Sequence, residues 1–152
     1  MPAALEAYRA LLALDAGFVP ALERLERIYR DSGQPALLEV LARRAELSVD
    51  RDEQLRLYQD LAGEAARLER WARAVDAHRR SAELEQEANG RGQQLYRAGL
   101  IYRDHLADFD EALGCFEAAV DSYSADGTTP PAGLEDAIAR LKALQTRAAG
   151  RT

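Results

Sequence analysis

Apolar side chains recur three and four residues apart along this chain, and no run alternates with a period of two, so the pattern predicts helices throughout. The clearest stretch runs from Leu95 to Ser124. Leu95, Ala98, Gly99 and Tyr102 fall at i, i+3, i+4 and i+7 on one helix face. After a short break around Leu106-Ala107-Asp108, Ala112, Phe116 and Ala119 fall at i, i+4 and i+7 on a second. Gly99 and Ala112 leave room for two backbones to approach, and Tyr102 and Phe116 fill the space beside them. That alternation of large and small is how a helix pair reaches interior density.

The same pattern extends toward the N-terminus. A first helix is expected from Pro2 to about Leu14, with Pro2 in its first turn and Ala4, Leu5, Tyr8, Leu11 and Leu12 on its apolar face. A second starts near Val19-Pro20 and ends at Asp31-Ser32-Gly33, where Gly33 suits a left-handed C-terminal position; Phe18, Leu22, Leu25 and Tyr29 form its stripe. A third opens at Pro35 and runs to about Ser48, with Leu38, Ala42 and Ala45 inward. Asp50-Arg51-Asp52-Glu53 has the form of a capping box opening a fourth helix, whose apolar set is Leu55, Tyr58, Leu61, Ala62, Ala65 and Leu68. A fifth carries Trp71, Ala74, Val75, His78, Ser81 and Ala82. Glu69-Arg70 holds neither Gly nor Pro, so the turn between the fourth and fifth helices is demanded by register alone. Asn89-Gly90 is expected to end that hairpin, with Gly90-Arg91-Gly92 as a linker. Beyond the loop Ser124 to Pro131, a last helix to about Ala148 sets Leu134, Ile138, Leu141 and Leu144 on one face.

The Leu95 to Ala119 hairpin resembles a tetratricopeptide repeat (TPR), a helix-turn-helix unit of roughly 34 residues. Ala4, Tyr8 and Leu11 repeat the order of Ala112, Phe116 and Ala119, so the first helix is similar to the second helix of a repeat whose first helix is missing. Leu14-Asp15-Ala16 resembles the Leu-Asp-Pro that closes such repeats, with Ala in place of Pro. Ala4, Leu38, Ala74 and Ala112 recur at, or a little above, the family period. The resemblance covers residues 1–124. It implies an all-α fold, a right-handed TPR-like solenoid of helical hairpins with about eight helices in one domain over 1–152. Residues 1–14 would be the remnant of a truncated repeat; 18–48, 50–87 and 92–124 would be hairpins, and 131–148 a capping helix with a polar outer face.

In that family the first helices line a concave groove that holds a protein segment. Projecting the face places Glu23, Arg27 and Arg30 there from the second helix, Arg56, Gln59 and Gly63 from the fourth, and Tyr96, Leu100 and Arg103 from the sixth. The partner-binding set this implies is Arg27, Arg30, Arg56, Gln59, Tyr96, Leu100 and Arg103. It suits an acidic, extended or helical segment with apolar anchors. The competing reading packs Tyr96 and Leu100 on the neighbouring hairpin and leaves the arginines solvated. One mode of the family grips C-terminal chaperone peptides with Lys and Asn side chains. Those are missing from the projected positions, which argues against it.

Composition narrows the rest. The chain has 152 residues, 47% hydrophobic and 30% charged, with a formal net charge of −6. An acidic chain makes poor use of a phosphate backbone, so no nucleic acid is expected, and an RNA-reading helical repeat is disfavoured. No apolar run approaches the roughly 20 residues that span a bilayer, so no membrane is expected. Met1-Pro2-Ala3 lacks the start of a signal peptide, which points to the cytoplasm. The Ala, Arg and Leu usage has a bacterial flavour.

The single cysteine, Cys115, is expected to be a packed thiol. His78 stands where Phe116 stands in the next hairpin and is expected to be packed and hydrogen-bonded, and His105 to be solvated near a turn. Neither has metal-ligand spacing around it. No cofactor, metal or enzymatic activity is expected. Two readings of function remain. One is a module that binds a partner protein. The other is a structural spacer or self-association segment, stacked on neighbouring repeats of a longer parent chain.

Overall fold

The computed structural model describes residues 2–151. Among them are eight α-helices and no strand: α1 (Pro2–Leu14), α2 (Val19–Ser32), α3 (Leu37–Leu47), α4 (Arg51–Arg67), α5 (Trp71–Leu84), α6 (Ala88–Ile101), α7 (Phe109–Ala125) and α8 (Leu134–Ala149). A π-helical turn, Tyr102–Leu106, follows α6 directly. The all-α fold of helical hairpins expected from the periodicity is what the chain adopts. It forms two compact units, Met1–Glu69 and Arg70–Thr152.

In the first unit α1 packs on α2, α2 on α3 and α3 on α4. Leu22, Leu25 and Tyr29 of α2 are buried as their spacing requires, but Phe18 at the N-cap stays 38% exposed. Gly33 takes the left-handed position (φ 64) and its N–H bonds back to Arg30 O, closing α2. Helix α3 starts at Leu37, two residues after the expected Pro35. Residues Gln34 to Ala36 are used in a turn in which Leu37 N–H bonds to Gln34 O at 3.0 Å. Asp50 caps α4 by accepting from Glu53 N–H at 2.7 Å. The return half of the expected box is absent, because the Glu53 carboxylate is taken by Ser48 Oγ and Arg44. The buried face of α4 is Leu57, Leu61, Ala62 and Ala65. Leu55, Tyr58 and Leu68 are only half-buried, so the face is turned slightly from the expected one.

The turn demanded between α4 and α5 exists. Glu69 makes it by adopting φ 55, a left-handed position taken without glycine, and the boundary between the two units falls there. In the second unit α5 packs on α6, α6 on α7 and α7 on α8. Asn89-Gly90 does not end a hairpin and Gly90-Arg91-Gly92 is not a linker: all lie in the first turns of α6. Tertiary packing overrides the local turn signal. A Cβ on Gly92 would sit 3.1 Å from the Tyr123 ring, and one on Gly99 would sit 2.5 Å from the Phe116 ring. The two glycines are one heptad apart on α6 and the two aromatics one heptad apart on α7. The antiparallel helices therefore mesh as two notches and two knobs. Phe116, Ala112 and Ala119 are wholly buried, and Tyr123, Leu134 and Leu141 complete this core. Asp108 caps α7 through Glu111 N–H at 3.2 Å, after Ala107 has turned the chain at φ 52. Helix α8 begins at Leu134, not Pro131, because Gly133 just before it is left-handed (φ 83). Leu144, expected on its packed face, is 48% exposed.

Three substitutions in this hairpin should separate packing from propensity. Ala112→Leu forces methylenes between close-packed helices and should cost about 1–3 kcal/mol. Gly99→Ala should destabilise despite the gain of about 1 kcal/mol in helix propensity, since its Cβ meets Phe116. Gly114→Ala, where nothing lies within 4 Å of the new Cβ, should stabilise by about 0.5–1 kcal/mol. Urea unfolding of the three variants against the parent tests the set.

Candidate functional site

The arginines projected on the first unit do not form one open cationic strip. Arg30 of α2 and Arg56 of α4 come together, but on a shared carboxylate: Asp60 accepts from Arg30 at 3.2 Å and from Arg56 at 3.4 Å. Arg30 also holds Glu26 at 3.0 Å. Glu26 is buried at the position where Gly99 stands in the later hairpin. Burial pushes its carboxyl up, yet hydrogen bonds from Arg44 and Arg30 outweigh this and hold it below the usual carboxylate range. Arg44 of α3 is the hub. It bonds Glu26, Glu53 at 2.8 Å and Glu23 at 3.4 Å, so one guanidinium ties α2, α3 and α4 together. Sequence reasoning missed Arg44 because its position on α3 carries no signal that three carboxylates converge on it. Gln59 and Gly63 are exposed on α4.

Arg27 points elsewhere. With Arg24, Ile28 and Asp31 of α2 it lines a cleft against Leu5 and Tyr8 of α1, about 500 Å³ in volume. No residue of α1 is buried, and Leu5, Tyr8 and Leu12 are half-covered. Arg9 pins α1 to α2 by donating to Tyr29 Oη at 3.2 Å.

In the second unit Tyr96 and Leu100 are half-buried and pack on the core around Phe116. The Tyr96 ring lies 6.0 Å from that of Phe116, tilted by 41°. The Arg103 guanidinium sits 5.8 Å over the Phe116 ring and donates to Asp104 at 2.6 and 2.9 Å. That pairing lowers the Asp104 pKa. Nearby, Leu106, Phe109 and Leu144 line an open hollow of about 420 Å³. Phe109, the first residue of α7, gave no sign of this in the sequence. His105 is exposed but not free, stacking on Trp71 with ring centroids 3.6 Å apart. His78 is 7% exposed and its Nδ1 lies 2.8 Å from Gln94 Oε1, the packed, hydrogen-bonded histidine expected. Cys115 is buried, and burial raises its thiol pKa.

Among the described residues no group of three or more His, Cys, Asp or Glu could hold a metal ion, and no helix is long and apolar enough to cross a membrane. No family model matches the chain, and no curated protein matches it significantly. Two crystal structures of MamA are similar to it. One is 20% identical, covering 96% of this chain and 89% of that one, with a TM-score of 0.49. The other is 22% identical, covering 90% and 76%, also with a TM-score of 0.49.

Two buried polar centres should dominate the mutational response. Arg44 and Glu26 side chains are 10% and 12% exposed. Arg44→Ala strands Glu26 with Arg30 alone and should cost about 3 kcal/mol in denaturant unfolding, more than the joint Arg44→Met, Glu26→Leu variant. His78 has its pKa lowered, by burial above all and by the charge of Arg97, below the 6.5 of the free side chain. The unfolded chain therefore binds the proton first on acidification. The contribution of His78 is complete above about pH 6.5 and is lost as pH falls toward its folded value. The stability difference between the parent and His78→Leu should shift against the parent across that interval.

Proposed function

We propose that the chain is a protein-interaction module that takes a segment of a partner protein on its helix faces. The observation that carries this is the fate of its apolar side chains. In each unit several line an open hollow and not a core: Leu5, Tyr8 and Ile28 in the first, Leu106, Phe109 and Leu144 in the second. Apolar surface gathered in concavities with charged rims marks places where another chain docks. The repeat reading supports it. Leu38, Ala74 and Ala112, the recurring second-helix positions, are all buried, while Ala4 is exposed on α1, which among the described residues packs on α2 alone. The partner fits as an acidic, partly apolar segment. The candidate contacts are Arg27 at the cleft and, apart from it, Arg30, Arg56 and Gln59 on the first unit, and Tyr96, Leu100 and Arg103 on the second, each unit taken by itself.

A spacer or self-association segment of a longer array is the second reading, and one observation favours it. Arg30, Arg56 and Arg103 already hold carboxylates of this chain, and Tyr96 and Leu100 already pack on its core.

Affinity capture with the whole chain as bait, followed by titration of the recovered partner, separates the two. The joint variant Arg56→Glu, Arg103→Glu should weaken a partner that uses these faces, with circular dichroism to check its fold because Arg103 also lies over the Phe116 ring. Binding should also weaken as salt is raised. Unchanged affinity would remove these arginines from the site. Failure to capture any partner, with self-association in its place, would favour the spacer. Tyr96→Ala is not a clean probe of binding, because Tyr96 also supports Phe116.

A further inference from the structure

We propose that the cleft between α1 and α2 docks an acidic amphipathic segment of a partner protein. This rests on the interaction reading above and gives it a site and a partner chemistry. The floor of the cleft is Leu5 and Tyr8 of α1 and Ile28 of α2, each half-buried. Its rim comes from Arg24, Arg27 and Asp31, which with Ile28 follow the i, i+3, i+4, i+7 strip of α2.

The charge argument is specific to this strip. Arg30, Arg44, Arg56 and Arg103 are all engaged with carboxylates of the chain. Arg24 and Arg27 are exposed and form no ion pair among the described residues. Two unengaged guanidiniums against the single carboxylate of Asp31 make a locally positive rim on a chain of net charge −6. A segment with apolar side chains on one side and carboxylates beside them complements both floor and rim, and Arg can grip such carboxylates two-pronged. The cleft is also preformed. The Arg9 to Tyr29 bond joins α1 to α2 without using any group of the floor or rim, so an occupant need not break it. From Arg24 to Asp31 the strip spans about two helical turns, the grip of a short helix or a few extended residues.

A phage-displayed library of peptides about four helical turns long is panned against the whole chain, and recovered peptides are titrated against variants. Acidic peptides with apolar residues three and four apart are expected. Their affinity should fall about tenfold or more with Arg24→Glu, Arg27→Glu together, and similarly with Leu5→Asp. It should change little with Arg67→Glu, Arg80→Glu, a control of equal charge change at exposed positions that do not line the cleft. Circular dichroism checks that each variant folds. Peptides indifferent to the Arg24, Arg27 and Leu5 changes would overturn the cleft and leave the interaction reading standing. Recovery of none would overturn the cleft, and the interaction reading falls with it only if affinity capture also fails. A dimer in sedimentation that Leu5→Asp dissociates would make a second copy the occupant and overturn the partner assignment.

Discussion

The second unit depends on two missing Cβ atoms. Phe116 of α7 closes on α6 at this distance because Gly99 has no Cβ, and Tyr123 packs tightly into a second notch at Gly92. Any side chain at Gly99 meets the Phe116 ring at a distance real atoms do not adopt, so the helix separation, and with it the enclosure of Ala112 and Ala119, follows from that one absence. Leu134 and Leu141 of α8 then have a formed surface to cover, and Tyr96, Leu100 and the Arg103 guanidinium settle around the same ring. Glycine is a poor helix residue, and its cost within α6 is offset by the packing it permits.

The first unit solves the same problem with charge. At the position matching Gly99 it carries Glu26, which leaves no notch for an aromatic ring. Arg44 reaches that carboxylate from α3, Arg30 from the next turn of α2, and Glu53 and Asp60 bring in α4. Desolvating these ions offsets much of their attraction, so the centre adds less net stability than its bonds suggest.

This internal use of charge also shapes what is left for a partner. Most of the arginines that face outward in sequence are spoken for by neighbouring acids, and the two aromatic and aliphatic anchors on α6 serve their own core. The surface that stays unsatisfied lies where α1 meets α2 and where α7 meets α8, at the margins of the helix stacks.

Periodicity determined that the chain is helical and which side of most helices turns inward, because burial of an apolar stripe is the dominant favourable term and it writes itself as a period of 3.6; the helix count needed the repeat register as well, at Glu69-Arg70 above all. Gly33, Asp50 and the buried His78 were legible for the same kind of reason, each being a local rule or a position in the stripe. Helix starts were less so. Asn89-Gly90-Arg91-Gly92 reads as a linker by composition, yet it forms the first turns of α6, with Gly92 against the Tyr123 ring of α7. Leu57 was left out of the inward face of α4, and Leu144 was counted into that of α8, since small rotations of a helix leave its period unchanged. The fate of the arginines was not legible at all. Whether Arg30, Arg44 or Arg27 meets a carboxylate or open water depends on side chains from other helices. That is a property of distances in space, which the tertiary structure alone supplies.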